Sequence, residues 1–590
     1  MSSFASLRRV LPFAFLALLI ACGPPPASNT ASNTNVGSKF MPKVAGTRGG
    51  SIAYRITAPP TTFNSLVATN EPSVLIAFYM MAGRPIEFEH ATQKYRAALA
   101  ESWTVAGDRQ TVDMKLREGI KFSDGHPITT EDVAFSLAAI YDPKSEAVAW
   151  VDSMSINGKP IAVKIIDERT MQFVFPEPVA AVETYIDNIG VLPKHILNAD
   201  MEAGKLKDSF SVTTPPEQIV TSGPFTVESA VAGERIVLKR NPNYWRKDEK
   251  GTQMPYIDQL TFEVVPDANQ ALTRLNQNSL DIVDRIRGAD YASLLNSSGP
   301  AKAYDLGPGL GVDHIIFNLS KTNKEGKTVG DPIKQAWFSD KRFRKAVSMA
   351  VDRTTIAKST LQGLASPLYG FVTSANHQWT DPKLPQIPYD LKQAEQLLSE
   401  AGFVKKGSAE SPELFDAKGN RVEFSLLVPA ENEPRKLMAA VIQEDLAKLG
   451  IKMNVVPQES NKVAAASGGT YDYEAMLFGL TPAGVEPTTY ANFVLSGSDI
   501  HQWQPSQKTP ATEWEARIDK LFADQAREGD PQKRAALFNE IQQIMADETP
   551  VVPIVARHII TAATNRVGNY APSSIFPYSI WNAEELFVRP

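Results

Sequence analysis

A chain of 590 residues with one cysteine, Cys22, has no internal disulfide available to it. Whatever it folds into is held by buried apolar surface, hydrogen bonds and ion pairs, without covalent staples. A chain this long exceeds what one hydrophobic core supports, so two or three domains are expected. Apolar residues make up 43% of it and charged residues 21%, the proportions of a globular protein. Forty-two prolines suggest many loops and edge strands in place of a helical bundle. A net charge of −6 over this length argues against a nucleic-acid partner.

The cysteine closes the run Leu18-Leu19-Ile20-Ala21-Cys22. Arg8 and Arg9 form a positive n-region, 10–19 an apolar h-region, and small Ala21 precedes the cysteine as a cleavage site requires. The run is shorter than the ~18 residues of a spanning helix. Residues 1–21 are therefore read as a signal peptide. Leu19-Ile20-Ala21-Cys22 is similar to a bacterial lipobox, which implies lipidation of Cys22 and attachment to a membrane. Residues 22–46, rich at first in Pro, Ser, Asn and Thr, read as a flexible tether. No later stretch is long and apolar enough to be a spanning helix.

Beyond the tether, strand and helix patterns alternate. Val112, Met114 and Leu116 alternate with polar residues, as in a half-buried strand. Thr261 to Val265 reads the same way, and Asp267 then caps a helix with Gln270 as its reciprocal partner. Thr130 is expected to cap a helix starting with Glu131 and Asp132. Phe343, Ala346, Val347 and Ala350 form one helical stripe, and Met438, Val441, Ile442 and Leu446 a second, stopped by Gly450. Asp530-Pro531 opens a third, carrying Leu537, Phe538, Ile541, Ile544 and Met545. The reading is a mixed α/β fold in more than one lobe.

Catalytic constellations are not found. The seven histidines are scattered without metal-ligand spacing, and no G-x-S-x-G elbow or phosphate-cradling loop occurs. The expectation is a protein that is not an enzyme and needs no metal or other cofactor.

Several ordered blocks carry a family resemblance. Leu99-Ala100-Glu101-Ser102-Trp103 is followed by Leu116-Arg117-Glu118-Gly119-Ile120-Lys121-Phe122-Ser123-Asp124-Gly125-His126-Pro127. Then come Ser222-Gly223-Pro224-Phe225, Asn241-Pro242-Asn243-Tyr244-Trp245, Phe338-Ser339-Asp340-Lys341-Arg342-Phe343-Arg344-Lys345-Ala346, and the helix motif over 394–403. From about residue 47 to 556 the chain resembles the family 5 extracellular solute-binding proteins, the receptors of peptide and nickel ABC importers. The resemblance implies an α/β, two-lobed periplasmic-binding-protein type II clamshell with an additional inserted domain. Lobe I would be discontinuous (47–84, 214–310 and 553–590), the inserted domain would be 85–213, and the opposing lobe 311–552. It also implies partners: a peptide or peptide-like solute, an ABC permease with its ATPase subunits, and a membrane met through the lipid. The protein would be a monomer on the extracytoplasmic face of the cell envelope.

In peptide receptors of this family a strand edges the cleft and its aspartate holds the peptide's α-ammonium. The matching stretch here is Phe478-Gly479-Leu480-Thr481-Pro482-Ala483-Gly484-Val485-Glu486-Pro487. Leu480 stands where tryptophan is usual and Ala483 where the aspartate is expected. Gly479, Leu480 and Thr481 are expected to touch ligand. Glu486 either faces the cleft and supplies the missing charge or supports the Pro487 loop. Asn492, His501 and Trp503, with Trp379 on a second loop, are further candidates on this lobe, and Tyr54 and Asn64 on the other. Two alternatives stay open: a receptor for a metal chelate held by His501 or His377, or another small non-peptide solute, and a sensory lipoprotein that signals through a partner.

Overall fold

The computed structural model describes residues 43–589. The signal peptide, Cys22 and most of the tether lie outside the described residues. The framework is a 12-stranded sheet. Its ten-strand path runs from Lys452–Gln458 through Glu423–Pro429, Ala475–Leu480, Val312–Phe317, Val551–Thr564, Ile282–Asp284, Ser51–Ile56, Gln259–Val264 and Arg235–Arg240 to Phe225–Val231. The chain thus visits one half of the sheet, leaves for the other, and returns.

The two halves meet on Val551–Thr564, a strand of 14 residues. Its first turns of pleat pair with Val312–Phe317, Asp313 lying opposite Val555. Its far end pairs with Ile282–Asp284 on one edge and Ala301–Pro308 on the other. The apolar run read at 551–555 is therefore only the opening of this strand. A strand shared along its length by two packed bodies is covered on both faces, and it is buried except over Arg557, His558 and Ile559, which are half-buried.

Val312–Phe317 is buried at every position. Ile315 and Phe317 face a core built with Phe343, Val347, Met438, Ile442 and Leu446, while Ile316 faces one built with Phe538, Ile541 and Met545. The three helical stripes read from sequence accordingly cover opposite faces of one half-sheet. Helix Glu433–Lys448 is preceded by Asn432, whose side chain accepts from the Arg435 amide, and is ended by Gly450 at φ +81°.

A separate four-stranded antiparallel sheet lies within 100–174, with Val112, Met114 and Leu116 buried on one side. The helix beside it is Thr130–Tyr141, and its cap is Thr129, one residue earlier than expected: Thr129 and Asp132 form a reciprocal capping box, so the backbone bonds decide the start. Asp267 does cap Ala268–Asn276, its carboxylate accepting from the Gln270 amide at 2.7 Å. The turn between strands Ile86–Glu89 and Lys94–Ala97 touches the loop carrying Ala375 and His377 directly. Gln93 donates to the Ala375 carbonyl at 2.7 Å and accepts from the His377 amide at 3.1 Å.

Candidate ligand-binding site

A cavity of about 760 Å³ opens where the two halves of the sheet meet. Residues 285–289 and the turn around Ile575 and Tyr578 wall one side, and 309–313, the start of helix Glu433–Lys448 and the end of strand Ala475–Leu480 wall the other. Arg557, His558 and Ile559 of the shared strand also line it.

Of the residues expected to touch ligand, Gly479 and Thr481 line this cavity, together with Pro482 and Ala483. Leu480 does not: strand alternation turns it away, into apolar packing with Val312 and Leu368. Gly479 is required by crowding. A Cβ there would lie 2.8 Å from the Val312 carbonyl oxygen and would strike the Arg435 guanidinium.

Asp313 is the buried charge of the site, its side chain 2% exposed. Its Oδ1 lies 2.8 Å from Arg435 Nε and its Oδ2 2.8 Å from Arg557 Nε. A lone buried carboxylate would be costly, and two guanidinium groups compensate it. Arg435 also lies over the Phe478 ring at 5.1 Å. Arg285 pairs with Glu71, and Arg287 with Asp290 at 2.7 Å. His558 sits 2.9 Å from Asp305 and 2.9 Å from the Ser366 hydroxyl.

The other expected residues are held elsewhere. Glu486 does not reach the cavity: its carboxylate lies 2.6 Å from Arg534, inside the wall. Burial pushes its carboxyl up, against the pull of Arg534. Trp379 is buried beneath that same Arg534, 4.7 Å from ring centre to guanidinium. His501 and Trp503 are 0% and 1% exposed, and both meet Glu515, at 3.1 and 3.0 Å. Burial pushes the Glu515 carboxyl up, but hydrogen bonds from His501, Gln507, Thr512 and Trp503 outweigh it and hold the pKa at about 2. Asn492 is exposed outside the cavity lining. Tyr54 is buried and donates to Asp284 at 2.7 Å, and Asn64 is buried and donates to the Leu206 carbonyl at 2.8 Å. Apart from exposed Asn492, these side chains are buried among protein neighbours, and none of them lines the cavity. His377 is exposed outside the lining, so neither histidine named for a chelate meets the cavity, whereas His558 does. Among the described residues no group of three or more His, Cys, Asp or Glu side chains could hold a metal.

Sequence reasoning missed Asp313, Arg435 and Arg557. A signal was present: Asp313 and its neighbour His314 are the polar residues of an otherwise apolar strand, Val312 to Phe317, and a buried charge there needs a partner.

Residues 94–502 match the family described as bacterial extracellular solute-binding proteins, family 5. The chain belongs to this family. It is 30% identical over 558 residues to a Deinococcus radiodurans protein named as a probable ABC transporter-binding protein, covering 89% of this chain and 90% of that one. With the oligopeptide-binding protein AppA of Bacillus subtilis it shares 25% identity over 540 residues, 90% of this chain and 89% of the other. The crystal structure of the ABC transporter substrate-binding protein CtaP of Listeria monocytogenes superposes with a TM-score of 0.74 at 22% identity, covering 92% of this chain and 99% of that one. The fold is thus the two-lobed α/β type of family 5, with its additional domain, and the protein is an extracytoplasmic solute-binding protein.

Proposed function

We propose that this family 5 protein is the receptor of an ABC importer, taking a peptide or peptide-like organic solute into the cavity between its lobes and delivering it to a membrane permease with its ATPase subunits. The observation that carries this is the free edge of Ala475–Leu480. Glu423–Pro429 pairs only with Ala475 and Met476 of that strand, and beyond them Gly479, Thr481 and Ala483 line the cavity. Such an edge binds an extended chain by strand addition. A volume of about 760 Å³ suits a solute of a few residues. Gly479 and Thr481 are the ligand contacts retained from the sequence reading.

The lobes in this reading are 47–84, 214–310 and 553–590 on one side and 311–552 on the other, with 85–213 inserted. Contacts made to both lobes exist only when they close, so the solute supplies the free energy of closure. A lipid on Cys22 keeps the receptor, as a monomer and without catalytic activity of its own, beside its permease. Native mass spectrometry of protein purified without refolding tests the reading. Peptides released on denaturation are the expected result. A single non-peptide mass would replace peptide by another small solute.

A further inference from the structure

We infer that Arg557, supported by Arg435, receives a carboxylate of the solute, and that the solute is recognised by this anionic end and not by a free amine. The inference rests on the receptor reading above and adds the polarity of the ligand.

The charge balance around the cavity carries it. Arg285 and Arg287 each have an acid of their own, Glu71 and Asp290. Arg435 and Arg557 share one, Asp313, whose two oxygens are both occupied. One positive charge is left over at the cavity wall. Arg557 is where it is accessible: its side chain is 42% exposed against 12% for Arg435. Its Nε faces Asp313 at 2.8 Å, and among the described residues the guanidinium makes no hydrogen bond with another group. The terminal nitrogens therefore keep the planar donor fork that matches a carboxylate.

An ammonium group finds no equivalent. Ala483 presents no charge at the strand end. Asp313 is 2% exposed and doubly paired, and Glu433, the other acid of the lining, is bound to Lys436 at 2.5 Å. Arg557 stands on Val551–Thr564, the strand common to both halves of the sheet, so a carboxylate held there sits at the joint.

The test uses two random tripeptide libraries, one N-acetylated with a free carboxylate, the other with a free amine and an amidated C-terminus. Each is incubated with the mature protein, and retained peptides are counted by mass spectrometry after gel filtration. The acetylated library should be retained at least tenfold better. Arg557→Gln should lower that retention about 10- to 100-fold, as expected for a charge-assisted hydrogen bond. Arg557→Lys, which keeps the charge and loses the fork, should fall between. Asp313 keeps Arg435 in both variants, and an unchanged melting temperature verifies the fold. Better retention of the amidated library, or full retention by Arg557→Gln, would overturn the inference while leaving the peptide reading intact. Retention of neither library would overturn the peptide reading and this inference with it.

Discussion

Two polar clusters look alike in composition and differ in what surrounds them. One gathers Glu486, Arg534 and Trp379, with Glu515, His501 and Trp503 nearby in sequence. The other gathers Asp313, Arg435 and Arg557. In the first, Glu486 is paired with buried Arg534, and Glu515 accepts from buried His501 and Trp503 as well as from Gln507 and Thr512, so the cluster fixes loops against the helices 513–527 and 531–548. In the second, one acid holds two cations and the surplus opens on a cavity. Charge that is matched within the wall makes a wall, and charge left unmatched at its surface can meet a ligand.

The largest effect that tests this contrast comes from Glu486→Leu. It leaves Arg534 buried without its carboxylate and should lower stability by about 3–5 kcal/mol in urea unfolding, with solute affinity unchanged in the folded fraction. A fall in affinity at full stability would return Glu486 to the site. Glu515→Ala should come next. It strips the shared acceptor from His501, Trp503 and Gln507 and should cost about 1–3 kcal/mol, again without touching affinity.

Gly479→Ala should act the other way round. Its methyl group would displace Arg435 from Asp313, weakening solute binding about tenfold, ~1.4 kcal/mol, with a smaller change in stability. Equal binding by this variant would show that Arg435 can shift freely, and would blunt the contrast. The smallest effect is a pH dependence. Because Glu515 is held at about 2, well below its ordinary value, it contributes stability in full above about pH 4.5, and that contribution is lost as pH falls toward 2. Glu515→Gln should therefore flatten the acid limb of the stability curve in that window. An unaltered limb would mean that other carboxylates dominate it.

The helices were readable because their stripes repeat at the helical period and bury one face, as Phe343, Val347 and Ala350 do. The strand beside the cavity was located through the family resemblance, by its spacing from Glu486-Pro487, and Gly479 and Thr481 do line the cavity. Trp503 and His501 were misplaced because an aromatic residue on a polar loop looks the same from sequence whether it plugs a core or faces solvent. Only the position of Glu515, 12 residues beyond Trp503 and facing it across a turn, separates the two.

What the chain by itself determined is everything that short-range periodicity and ordered motifs carry: a mixed α/β fold without disulfides, its helix faces, its main turns and its family. What only the tertiary structure decided is the pairing of charges. Asp313, Arg435 and Arg557 stand 122 residues apart in their nearer pair and far more in the other, and no local pattern relates them. Their meeting depends on one strand, Val551–Thr564, which returns at the end of the chain to join both halves of the sheet. An ion pair is an interaction of distance in space, and distance in space is what folding, and not sequence order, sets.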